Sequence, residues 1–107
     1  MTTPYATDHP KRDEVDAQPG LTVLEFGANW CGICKAAQPV IAEALAEAPA
    51  GLRHMKLEDG SGIPLGRSFG VKLWPTLIFL RDGQEVARVV RPTRADDVRA
   101  PLAQLAG

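Results

Sequence analysis

Short apolar runs alternate along the chain with apolar stripes at helical spacing. Leu21-Thr22-Val23-Leu24-Glu25-Phe26 is a nearly continuous apolar run, rich enough in β-branched residues to predict a strand buried on both faces. From Lys35 onward, Ala36, Ala37, Val40, Ile41, Ala44, Leu45 and Ala48 fall on one helical face, with Gln38, Glu43 and Glu47 off it. Pro39 lies inside that helix and should bend it, and Pro49 and Gly51 stop it. Leu52 to Leu57 predicts a second strand, and Ile63 to Phe69 a short helix. Thr76 to Leu80 and Glu85 to Val90 predict two strands joined at Asp82-Gly83, a strong hairpin signal. Thr93 is the expected N-cap of a last helix with Ala95, Val98, Leu102 and Leu105 on one face, kinked or broken at Pro101. The order is strand–helix–strand–helix, then hairpin and helix. It predicts a single α/β domain, a mixed sheet with helices on both faces.

Residues 1–20 are polar, with prolines at positions 4, 10 and 19. Thr2 to Tyr5 could form a short edge strand, and Asp8 could cap a short helix starting near Pro10. Few apolar anchors are available, so this segment is expected to pack weakly. The chain has 107 residues, 12 Lys plus Arg against 13 Asp plus Glu, and a net charge of −1. That balance argues against a nucleic-acid-binding module, which carries a clustered basic excess. No apolar run approaches the ~20 residues of a membrane span. Asp8, Asp13, Glu14 and Asp16 interrupt the N-terminal segment, which does not resemble a signal peptide, and a cytoplasmic location is expected.

The candidate chemistry is Cys31-Gly32-Ile33-Cys34, the only cysteines in the chain. The pair follows a buried strand and opens a helix. The first helical turn offers unpaired N–H groups and a partial positive charge, so a thiolate at Cys31 is stabilised there. Cys34 lies three residues on and can reach the Cys31 sulfur. Such a pair can attack a disulfide with Cys31 and release the product when Cys34 attacks the mixed disulfide. A structural disulfide fits poorly, because the loop is too short to stabilise much. A zinc site needs two more ligands, and His9 and His54 lack ligand spacing to the pair.

Trp30-Cys31-Gly32-Ile33-Cys34-Lys35, after a strand ending Glu25-Phe26, resembles the active site of the thioredoxins. The resemblance extends from about Leu21 to Val90. Pro39 matches the family's proline in the helix after the cysteines, and Lys56 a lysine on the middle strand. Trp74-Pro75-Thr76 is similar to the family's cis-proline segment, and Asp82-Gly83 to its hairpin turn. The resemblance implies the thioredoxin fold and a protein-disulfide reductase that binds no cofactor itself. Its electrons would come from NADPH through a flavin-dependent thioredoxin reductase, and it would act on disulfide-containing client proteins as a monomer.

It also implies roles. Glu25 stands where the family has an acid that takes the proton of the second cysteine, and it is one methylene longer. Lys56 is the expected partner of that buried charge. A cis bond at Trp74-Pro75 would leave the Trp74 backbone free to pair with an extended client. Trp30, Gly32, Ile33, Trp74 and Pro75 are the expected client contacts. Several positions depart from the family. Ile33 replaces a proline and restores an N–H near the sulfurs, which should make the pair more oxidising. Gly27 replaces an aromatic residue, so looser packing is expected beneath the active-site loop. Arg91-Pro92 falls near a family glycine, and Arg91 would add positive charge if it faced the cysteines. His9 and His54 are expected to be surface or packing residues. A second reading is a binding module on the same fold, using the apolar patch of Trp30, Ile33, Trp74 and Pro75.

Overall fold

The computed structural model describes residues 3–107. Its elements are α1 (Arg12–Asp16), β1 (Leu21–Gly27), α2 (Gly32–Leu45), β2 (Arg53–Glu58), α3 (Pro64–Ser68), β3 (Thr76–Arg81), β4 (Gln84–Val90) and α4 (Ala95–Ala106). The four strands form one sheet in the order β2-β1-β3-β4. The β1 strand runs parallel to β2 and antiparallel to β3, and β3 and β4 make the expected hairpin.

Alternation along the central strands splits the core in two, because successive side chains point to opposite faces. Val23, Leu77 and Phe79 face α2 and α4, where they meet Ile41, Ala44, Val98, Leu102 and Leu105. Leu24, Phe26, Ile78 and Leu80 face the other way and pack with Val15 of α1, Leu65 of α3 and Phe69. Burial on both faces explains why β1 and β3 read as unbroken apolar runs.

The turn Asp82-Gly83 has positive φ at both residues, 51° and 80°, as a two-residue hairpin of this twist requires. Glycine is needed at 83 for a second reason. A Cβ there would stand 1.9 Å from the carbonyl oxygen of Asp16.

Several expectations change. Most of residues 3–20 is exposed, but Tyr5 and Val15 are buried, so the segment is pinned at two points. In place of the strand over Thr2 to Tyr5 there is a single parallel bridge between Ala6 and Leu57; Thr2 lies outside the described residues. The first helix begins at Arg12, two residues after Pro10. The Glu14 carboxylate, rather than Asp8, closes its start by accepting from the Lys11 backbone N–H at 2.8 Å. The last helix starts one residue beyond the position expected from Thr93. The Asp97 carboxylate accepts the backbone N–H groups of Thr93 and Arg94, both at 3.0 Å. That helix runs through Pro101, which is buried, without a break.

Candidate functional site

Cys31 is the N-cap of α2, with extended backbone, and its sulfur accepts the backbone N–H of Cys34 at 3.2 Å. Both cysteines are free thiols. Cys34 is completely enclosed, while Cys31 sits just beneath the surface. Burial is the main influence on the Cys34 thiol, and with Cys31 beside it pushes its pKa up to about 11. The two sulfurs are therefore unlike: one just beneath the surface on a helix N-terminus, the other fully enclosed and held protonated.

Trp30 and Ile33, at 72% and 46% exposure, flank Cys31, and Gly32 is open to solvent. Leu73 adds a third exposed apolar side chain from the loop before β3. The Trp74-Pro75 bond is cis, as expected. The Trp74 indole is tied down: its Nε1 donates to Asp59 Oδ2 at 2.8 Å, and Trp30 meets it edge-on at 5.6 Å. Trp74 thus supports Trp30 rather than projecting freely. Its carbonyl is not free either, because Arg91 Nε donates to it at 2.8 Å. Arg91 has φ of 51°, and its backbone N–H bonds the Pro75 carbonyl at 2.8 Å, which turns the side chain back over residue 74.

Glu25 is fully buried in the middle of β1. Its carboxylate accepts from three side chains: His54 Nε2 at 2.9 Å, Gln38 Nε2 at 2.9 Å and the Tyr5 hydroxyl. Burial pushes the Glu25 pKa up, but these hydrogen bonds outweigh it and the net displacement is downward, so the group is ionised. The expected partner, Lys56, is not in contact. Lys56 pairs with Glu25 in strand register, but its Nζ reaches past to Gln38 Oε1 at 2.6 Å and to the Thr3 carbonyl. His54, two residues earlier on the same face of β2, takes the place assigned to Lys56. A histidine expected to have no role is thus the ionisable partner of the buried acid.

Tyr5 is the residue that sequence reasoning missed entirely. The Cβ that Gly27 lacks would stand 2.6 Å from Tyr5 Cζ, 2.7 Å from its hydroxyl and 2.9 Å from Cys34 Sγ. The absent aromatic side chain is thus replaced in space by one from the N-terminal segment, and the loop is filled rather than loosened. The one signal in the sequence is that same glycine, since a gap beneath a buried loop must be filled. Gly27→Ala is expected to destabilise the fold by about 1–3 kcal/mol through overpacking, read as a lower urea midpoint at unchanged slope.

The chain matches the thioredoxin family model over residues 4–104. It is 41% identical over 71 residues to a thioredoxin of Chlamydia muridarum, an alignment covering 66% of this chain and 69% of that one. A thioredoxin of Mycobacterium tuberculosis is 40% identical over 64% of this chain and 59% of its own length. The structure superposes on reduced thioredoxin 2 from Pseudomonas aeruginosa PAO1 with a TM-score of 0.88 and 53% identity, over 100% of this chain and 98% of that one. The chain belongs to the thioredoxin family. It is a thiol–disulfide oxidoreductase with the thioredoxin fold, and Cys31 and Cys34 are its cysteine pair. Members of this family act on disulfide substrates and are reduced by a thioredoxin reductase. Among the described residues no helix is long and apolar enough to cross a membrane, and no cluster of His, Cys, Asp and Glu could hold a metal.

Proposed function

We propose that this thioredoxin reduces client protein disulfides in the cytoplasm as a monomer, taking electrons from NADPH through a flavin-dependent thioredoxin reductase. Cys31 is the attacking thiolate. The observation that carries this is the contrast between the two sulfurs, one on the helix N-terminus near the surface and one sealed beneath it. Attack forms a mixed disulfide between Cys31 and the client and expels the client's other sulfur as a thiolate. Cys34 then gives up its proton and attacks Cys31, which closes the Cys31–Cys34 disulfide and frees the reduced client.

Glu25 is the ionised base within this assembly and receives the Cys34 proton. Lys56 acts through Gln38. By donating to Oε1 it fixes which end of the amide faces Glu25. Trp30, Gly32 and Ile33 form the exposed client-contacting surface, with Trp74 against Trp30 and Pro75 buried behind them. A client strand that pairs with the Trp74 carbonyl must first displace Arg91.

A glutathione titration of the purified protein, read by thiol alkylation, tests the assignment. The expected result is a reversible two-electron couple more reducing than the glutathione pool. A more oxidising couple would overturn the direction of electron flow, and the absence of a reversible couple would overturn the activity. In the same titration Ile33→Pro is expected to lower the potential by about 10–20 mV. It removes one N–H, worth ~0.5–1 kcal/mol to the thiolate form.

A further inference from the structure

The Cys34 thiol and the Glu25 carboxylate both border one group, the hydroxyl of Tyr5. That hydroxyl donates to Glu25 Oε2. It also shares with the Cys34 sulfur the space above Gly27, the two atoms lying 2.7 and 2.9 Å from the point where a Cβ would stand. Tyr5 comes from the chain's N-terminal segment, outside the strand and helix that carry the acid and the cysteines. We infer that Tyr5 is the proton carrier of the resolving step, passing the Cys34 proton to Glu25 through its hydroxyl. This rests on the assignment of Glu25 as the base.

The hydrogen-bond roles leave one arrangement. An ionised carboxylate offers only acceptors, so the Tyr5 proton points at Oε2 and His54 Nε2 is the donor to Oε1. Gln38 Nε2 has two N–H groups for three acceptors: the Cys34 carbonyl and Glu25 Oε2, both at 2.9 Å, and the Tyr5 oxygen at 3.2 Å. The longest contact is the shared one, so the tyrosine oxygen keeps a lone pair for the Cys34 S–H. Burial, followed by the charge of Glu25, raises the Tyr5 pKa, so the phenol stays protonated and donates. Proton transfer therefore runs as an exchange: the Cys34 proton moves onto the tyrosine oxygen as the tyrosine proton moves onto Oε2. The electron pair left on Cys34 forms the bond to Cys31, the Cys31–client bond breaks, and its electrons leave on the client sulfur. The proton rests on Glu25 and passes to water after the disulfide closes. His54 is a positioning residue here. By holding Oε1 it leaves Oε2 to Tyr5 and Gln38.

The reaction of the reduced protein with 5,5′-dithiobis(2-nitrobenzoate), followed by stopped flow, separates the two steps. Attack by Cys31 releases the first thionitrobenzoate at a rate proportional to reagent. Resolution by Cys34 releases the second at a rate independent of reagent. Tyr5→Phe keeps the ring that fills the space at Gly27 and removes only the hydroxyl. The expected result is a second phase slower by about tenfold or more, with the first phase unchanged. Glu25→Gln should slow the same phase. Tyr5 is the only tyrosine in the chain, so biosynthetic replacement by 3-fluorotyrosine alters this hydroxyl alone. It should shift the second rate without moving the first.

An unchanged second phase in Tyr5→Phe, with Glu25→Gln slow, would overturn the relay and leave Glu25 as the base. Unchanged second phases in both variants would overturn the Glu25 assignment and the relay with it. Equal slowing of both phases in Tyr5→Phe would overturn the relay in favour of a structural role.

Discussion

Cys31→Ser is expected to bring disulfide reduction to the uncatalysed background, measured as reductase-coupled NADPH oxidation with a protein disulfide as substrate. The variant should fold. Serine is a preferred N-cap, and its oxygen can accept the Cys34 N–H that the Cys31 sulfur now accepts at 3.2 Å. What it lacks is a thiol, and exchange requires a thiolate. Cys34 cannot stand in, because its sulfur is enclosed and its pKa is pushed up to about 11 by burial, with Cys31 adding to the effect. The same variant separates chemistry from binding. Trp30 and Ile33 remain exposed whatever stands at 31, so client capture by that patch survives while turnover does not. Retained turnover in Cys31→Ser would remove Cys31 from the attacking role.

Phe79→Ala is expected to be the most damaging single truncation for stability, costing about 3–5 kcal/mol. A domain of this size has roughly 5–15 kcal/mol in all. Phe79 is fully buried at the centre of β3, paired with Val23 of β1 and Ala87 of β4. It packs in the cluster that holds α2 and α4 to the sheet. Phe79 lies on a strand paired on both sides, so its backbone is held in place while the side chain is removed. The expected thermal midpoint falls by roughly 15–30 °C in calorimetry. A shift of only a few degrees would mean that the helices close the gap. The effect bears on function because β3 follows directly from the Trp74-Pro75 segment and α2 carries both cysteines.

The parts of this protein governed by short-range rules were legible in the sequence. Two strands buried on both faces announce themselves as continuous apolar runs, as β1 and β3 do. A hairpin needing positive φ at two residues announces itself as Asp82-Gly83. The reactive pair was legible because the strand-to-helix junction and the three-residue spacing are local. Misplaced helix starts had a local cause as well. At both α1 and α4 the cap is a carboxylate inside the first turn, Glu14 or Asp97, reaching back to the preceding N–H.

The surroundings of the buried acid were decided only by the tertiary structure. A lone Glu in an apolar strand declares that a partner is needed, and register puts Lys56 opposite it and His54 two residues away on the same face. Nothing local chooses between them. Side-chain reach decided: the short imidazole meets Glu25 at 2.9 Å, while the long lysine extends past it to Gln38. Tyr5 lay further from any sequence rule. It is twenty residues from Glu25, in a polar segment, and it reaches the site because the Ala6–Leu57 bridge places the segment along the edge of β2. By itself, then, the sequence determined the sheet, its hairpin, and the helix that presents the cysteine pair. Those follow from periodicity and backbone preference, which act over a few residues. Only the tertiary structure determined what fills the gap at Gly27 and what holds Glu25 ionised, because packing joins side chains that are distant in the chain by shape and hydrogen-bond reach.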